Sequence, residues 1–131
     1  MGTIHVEVVS PEKSLFSGDA EEVYARSLDG EIGILAGHQP ALLALDTSPL
    51  KVKLADGGEE RFAVHSGFLF FRDDRLVILA DRAEPAGAID RNRAEARLRE
   101  LEQRSGGEDE DEAAVKAAIR RQQVRLDVAS G

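Results

Sequence analysis

An α+β fold, with an N-terminal antiparallel β-sandwich followed by a C-terminal antiparallel two-helix hairpin, is predicted by three observations. Apolar residues alternate with period two through the first part of the chain, and turn residues recur between the alternating runs. Past Gly87 the composition shifts to Ala, Arg, Glu and Leu, which form helices readily and strands poorly. The expected division is a β-sandwich docking unit at residues 1–87 and a helical hairpin at residues 88–131.

The strand signals run in order along the chain. Ile4, Val6 and Val8 alternate with His5 and Glu7, and Leu50, Val52 and Leu54 alternate with Lys51 and Lys53, as expected of half-buried strands. Glu22 to Leu28 is a further strand. Asp56-Gly57-Gly58 precedes the run Arg61 to His65, and Arg72-Asp73-Asp74 separates Phe68 to Phe71 from Leu76 to Ala80, so both segments are predicted hairpins. Gly30 to Leu45, GEIGILAGHQPALLAL, divides into a Gly-rich half with Gly30, Gly33, Gly37, His38 and Pro40, and an apolar half from Ala41 to Leu45. The first half is expected to be a shaped surface loop, the second a buried strand on which that loop is held.

In the helical part, Asp90 is placed to cap a helix whose stripe is Ala94, Leu98 and Leu101, with Ser105-Gly106-Gly107 as its stop. The second helix is expected to start within the acidic run Glu108 to Glu112, since acids suit the positive end of a helix dipole, and to carry Val115, Ile119 and Leu126 on its seam. Both stripes are narrow and Ala-rich. The hairpin therefore has little core of its own and should dock only marginally.

Composition excludes several classes. With 131 residues there is room for one good core and a small appendage. Acids outnumber bases 25 to 17, for a formal net charge of −8, and no basic stripe is present, which argues against binding nucleic acid by neutralising phosphates. Without cysteine there are no disulfides, thiolate zinc sites or cysteine nucleophiles. No run approaches the roughly 20 apolar residues that span a bilayer, and the opening MGTIHVEVVS lacks the pattern of a targeting segment, so no direct membrane insertion is expected.

Catalytic constellations are scarce. His5, His38 and His65 lack metal-ligand spacing, so no metal site is expected, and Ser66 and His65, as strand neighbours, should point to opposite faces. No phosphate-binding Gly loop is present. One arrangement stands out. Asp90 starts a helix, where backbone N–H groups favour anions, and Arg121 and Arg125 share a face of the next helix at i and i+4. A hairpin folded back on itself could join them in an anion or nucleotide-phosphate pocket, against the plainer alternative of a surface arginine pair.

GEIGILAGHQPALLAL, AVHSGFLFFRDDRLVILADRAE from Ala63 to Glu84, and AIDRNRA from Ala88 to Ala94 together resemble the epsilon subunit of bacterial F-type ATP synthase. The resemblance covers nearly the whole chain. It implies a sandwich of about ten short strands at the foot of the central stalk, a non-catalytic rotor subunit contacting the gamma subunit and the c-ring. Glu31 matches a carboxylate facing the ring and His38 a position near gamma. It also implies a hairpin that is either compact on the sandwich or extended into the alpha/beta catalytic head, where it inhibits ATP hydrolysis. ATP is implied as a regulatory ligand of the compact form, with no cofactor required. Ile89, Asp90, Arg93 and Ala94 match the family's I-D-x-x-R-A motif, Arg121 and Arg125 its arginine pair, and Glu84 a further site acid. The implied location is the cytoplasmic face of the bacterial plasma membrane, reached peripherally through the complex.

The chain departs from the family pattern at Ala36, where Pro is usual, at Ser66, where the strand start usually has Gly, and in the insert SGGEDEDE. Gln122 and Gln123 add polarity where an apolar residue and Ala are commoner. These changes are expected to weaken compact docking. Two other readings remain open on the residues: a freestanding nucleotide- or anion-binding sandwich with a helical lid, and an acid-base hydrolase using His38 or His65.

Overall fold

The computed structural model describes residues 2–104 and 112–130. It contains nine strands: β1 (Ile4–Val9), β2 (Ser14–Ser27), β3 (Gly30–Leu35), β4 (Ala41–Leu45), β5 (Ser48–Leu54), β6 (Glu59–Val64), β7 (Gly67–Arg72), β8 (Arg75–Ala80) and β9 (Ala83–Pro85). A single 3-10 turn, Ala86–Ala88, leads to the helices α1 (Arg91–Arg104) and α2 (Glu112–Ser130). The expected helix stop at Ser105-Gly106-Gly107 and most of the acidic run lie outside the described residues; α2 begins at Glu112.

Strand pairing closes one side of the sandwich into a ring. β1 pairs with β2 and β8, β8 with β7, β7 with β4, and Leu45 at the end of β4 meets Ser27 of β2. β3 adds to β2, while β5, β6 and β9 continue the sheet from the other edge of β2. All of these pairings are antiparallel except β1 with β8, which is parallel.

β2 passes from one layer to the other because of an irregularity in its pairing with β5 between Ala20 and Glu22. Before it, Phe16, Gly18 and Ala20 are the more covered residues, whereas after it Val23, Ala25 and Ser27 face inward. One extra residue inverts the alternation and bends the strand. That inversion hides the first half of β2 from a period-two reading. The core between the layers includes Ile4, Val6, Val8, Val23, Ile34, Leu50, Val52, Phe62, Leu69, Phe71, Leu76 and Ile78.

The expectation that Gly30 to Leu35 is a surface loop is overturned: this segment is β3, paired residue for residue with β2 from Glu22 to Ser27. The Tyr24 ring explains how glycine is accommodated in the strand. Tyr24 is the direct partner of Gly33 and lies over it, so that a Cβ there would stand 3.3 Å from the ring. The loop is confined to the residues after Leu35, where Gly37 N donates to Asp74 Oδ1 at 2.8 Å.

At the start of β7, Ser66 takes φ 61° and Gly67 φ 143°. Ser66 thus adopts the left-handed conformation that favours glycine, and its hydroxyl donates to Asp81 Oδ2 at 2.7 Å. Gly67 has no alternative, because a Cβ would lie 2.2 Å from the carbonyl oxygen of Leu79.

The hairpin is compact in this structure. Val124 and Val128 of α2 pack on Ala63 of β6, with Ala86 and Ile89 at the side. Asp90 caps α1 as expected, its carboxylate accepting from Arg93 N at 3.0 Å. Of the predicted stripes, Ala94, Leu101 and Val115 are buried, and Leu98, Ile119 and Leu126 are half-buried.

Candidate functional site

A cavity of about 530 Å³ lies between the end of the sandwich, the start of α1 and the flank of α2. Its lining includes Glu84, Ile89, Asp90, Arg93, Ala94 and Arg125, six of the residues singled out from the sequence. β9 supplies Glu84, the link after the 3-10 turn supplies Ile89 and Asp90, and the first turn of α1 supplies Arg93 and Ala94. Arg121 does not line it. Residues four apart on a helix are offset by about 40° and residues three apart by about 60° in the opposite sense. The cavity lies on the flank shared by Gln122 and Arg125.

Several of its charges are already matched. Arg125 Nε donates to Glu84 Oε1 at 2.6 Å, and His65 Nε2 donates to the same oxygen at 2.9 Å. These bonds hold the Glu84 carboxyl down at about 2, from an ordinary 4.5: the His65 hydrogen bond contributes most, burial opposes it, and Arg125 adds its hydrogen bond and charge. Arg97 Nη1 donates to Glu100 Oε1 at 2.9 Å. Arg82 and Arg93 remain as lining cations without a carboxylate partner among the described residues. The start of α1 differs from the expected open anion seat. The Asp90 carboxylate itself occupies the Arg93 amide, placing a fixed negative charge there.

Sequence reasoning missed Arg82, Arg97, Glu100 and Gln122, and it weighed His65 only as a metal ligand or a base, not as the buried partner of Glu84. Gln122 was noted only as a polar departure in a helical seam; it is 8% exposed and faces the cavity. No local signal marks the others, because they meet only when α1 and α2 lie on the sandwich.

The described residues contain no group of three or more His, Cys, Asp or Glu side chains that could hold a metal ion, and no helix long and apolar enough to cross a membrane. His65 and Ser66 do point apart, toward Glu84 and Asp81. His38 Nδ1 donates to Gln39 O at 2.7 Å, and its ring stands edge-on to Phe71. Neither histidine has a nucleophile beside it among these contacts.

A family model for the β-sandwich domain of the ATP synthase delta/epsilon chain matches residues 3–86. The chain is 42% identical to an ATP synthase epsilon chain from an Exiguobacterium species, over 95% of this chain and 97% of that one. It is 38% identical to the ATP synthase epsilon chain of Streptomyces coelicolor, over 98% and 96%. The chain belongs to the ATP synthase epsilon-chain family. Members of this family are non-catalytic stalk subunits, which agrees with the absence of a catalytic constellation in the sequence reading. The fold is also that of a chain in the Euglena gracilis mitochondrial ATP synthase, OSCP/F1/c-ring, with a TM-score of 0.88 at 22% identity, covering 100% of this chain and 83% of that one.

Two further surfaces matter for an epsilon chain. On the outer face of β4, β7 and β8, Leu42, Phe68, Phe70 and Leu79 are exposed. Leu42 sits directly opposite Phe70, and Phe68 opposite Leu79, so they form one continuous apolar face. The residues expected to dock partners are separated. Glu31 is at the start of β3, paired with Arg26 at 3.3 Å, while His38 follows the far end of that strand. β3 advances roughly 13 Å from Glu31 to Leu35 at about 3.3 Å per residue, and the turn closed by His38 N donating to Leu35 O at 3.1 Å holds His38 off that far end, so the two do not share one small contact.

Proposed function

We propose that this epsilon-family chain is a rotor subunit of a proton-translocating ATP synthase, joining the gamma subunit to the c-ring. The apolar face of Leu42, Phe68, Phe70 and Leu79 is the observation that carries this reading. A contiguous apolar sheet face on a chain with net charge −8 calls for a protein partner, and gamma is the partner that family membership supplies. In this reading His38 borders the gamma contact, and Glu31, with the exposed Leu28 of the adjacent turn, faces the ring. The subunit would then sit peripherally at the cytoplasmic face of the bacterial membrane, through the complex. Purified gamma should co-elute with the chain, and a folded Phe70→Glu protein should lose it; undiminished gamma binding by that variant would overturn the assignment of this face.

The cavity supports a second element of the reading, regulation by nucleotide. Arg82 and Arg93, which no carboxylate among the described residues pairs, offer positive charge beside the apolar Ile89, Ala88 and Ala94, a pairing of chemistries that suits a nucleotide. Glu84, Asp90 and Arg125 would shape the site, and Arg121 would take part only by reaching around the flank of α2. ATP bound there would favour the compact hairpin over an extended, hydrolysis-inhibiting one, by about 2.7 kcal/mol at a hundred times its dissociation constant. Calorimetry with ATP tests this. Heat that disappears in Arg93→Ala supports it, and no heat at millimolar ATP removes it.

A further inference from the structure

α2 lies along β5 and β6, and two features fasten it there: a small apolar cluster and a polar junction. The apolar part is Val124 and Val128 on Ala63, flanked by Ala86 and Ile89. At the polar junction a residue just after β6, a residue of β9 and a residue of α2 converge on a single carboxylate oxygen, with His65 and Arg125 both donating to Glu84 Oε1. The side chains are 4% exposed for His65, 13% for Arg125 and 22% for Glu84. Charge-assisted bonds gain strength where water is largely excluded.

His65 is the unexpected member. Its Nδ1 is buried with no hydrogen-bond partner among the described residues. Leaving a buried polar atom unmatched is costly, so the sandwich alone would be better served by an apolar side chain at this position. The imidazole gains only through Nε2, which restrains a carboxylate that Arg125 also engages. Its own backbone is anchored, since His65 N donates to Arg82 O at 2.8 Å at the strand end.

We propose that His65 is the positioning residue of a latch: it holds the Glu84 carboxylate in the orientation that receives Arg125, and so fastens the hairpin to the sandwich. This goes beyond the rotor and nucleotide readings and depends on neither. Arg125 reaches from α2 to a carboxylate already restrained by a strand end, so it does not bear the full cost of ordering both partners. Without His65 the Glu84 side chain regains its rotamers, and α2 keeps its small apolar cluster and its packing along β5 and β6 but loses the restrained polar tie.

Asparagine and glutamine separate this role from packing. The glutamine amide nitrogen reaches about as far as imidazole Nε2, whereas the asparagine nitrogen reaches only as far as Nδ1. Because the chain lacks cysteine, Glu60→Cys on β6 and Gln123→Cys on α2 can carry spin labels in the full-length protein, and both positions are exposed. Pulsed electron resonance then reads the fraction of docked hairpin. The expected result is a released-to-docked ratio raised on the order of tenfold in His65→Asn and restored toward the parent in His65→Gln. In a Glu84→Gln background, which itself raises release, the difference between the two His65 variants should disappear. Equal docking of His65→Asn and the parent would overturn the latch, as would equal loss in both His65 variants or an unchanged difference in the Glu84→Gln background. Should His65→Asn not fold, His65→Leu, which fills the site without a donor, takes its place in the same distance measurement. Release raised as expected for His65→Asn supports the proposal, and docking equal to the parent overturns it.

Discussion

Arg125 Nε and Glu84 Oε1, 41 residues apart in sequence, meet at 2.6 Å and tie the last helix to the last strand. The carboxylate is the ionised partner, so its titration sets how the tie responds to pH. The folded value of about 2 is depressed from 4.5, and the stabilisation is therefore fully present above about 4.5 and lost as the pH falls from there through about 2. Hairpin docking should weaken across that window more steeply in the parent than in Glu84→Gln, when both are followed by a distance probe between α2 and the sandwich. Parallel profiles would count against this account.

Gly67→Ala should be among the most damaging single changes in the sandwich. The added Cβ would stand 2.2 Å from Leu79 O, and at φ 143° the backbone is one that side chains rarely adopt. A loss of about 3 kcal/mol or more is expected in urea unfolding. By contrast, Gly87→Ala should change stability little, since its Cβ would meet nothing within 4 Å.

Val124→Ala removes apolar contact from the junction of α2 with Ala63 while leaving the sandwich core untouched. Docking of the hairpin should weaken by about 1–2 kcal/mol, the low end of the range for core truncations because Ala63 offers a small partner. Faster amide hydrogen exchange confined to α1 and α2 would show this. A matching increase through β1 to β8 would mean that the hairpin supports the whole fold.

Changes on the exposed sheet face should separate binding from folding. Phe70 is 45% exposed and Leu42 66%, so Leu42→Glu with Phe70→Glu should leave the melting temperature within a few degrees of the parent. Binding to gamma should fall on the order of a hundredfold, since apolar anchors at the centre of a contact carry most of its energy. Surface plasmon resonance and thermal melts on the same samples measure both.

Local chemistry made much of this chain legible. Alternation disclosed β1 and β5, the Asp56-Gly57-Gly58 and Arg72-Asp73-Asp74 turns disclosed two hairpins, and the Asp90 cap located the start of α1. All of these depend on residues within a few positions of one another. β3 escaped because its glycines are tolerated only under Tyr24, and the first half of β2 escaped because the irregularity beyond Ala20 reverses which residues face inward. Both causes lie in cross-strand pairing, which periodicity along one strand does not record.

The candidate cavity shows the same division. The helix start and helix spacing singled out Asp90 and Arg125, the family resemblance added Glu84, Ile89, Arg93 and Ala94, and the fold brings these six together. It was the docking of α2 that turned Gln122 rather than Arg121 toward the cavity, engaged Arg125 with Glu84, and set His65 behind that pair. Apart from β3 and the first half of β2, the sequence by itself determined which of these segments become strands and helices, because those preferences arise from near neighbours. Which side chains share one oxygen atom was decided only by tertiary structure, since a rotation of α2 by a fraction of a turn changes the partner.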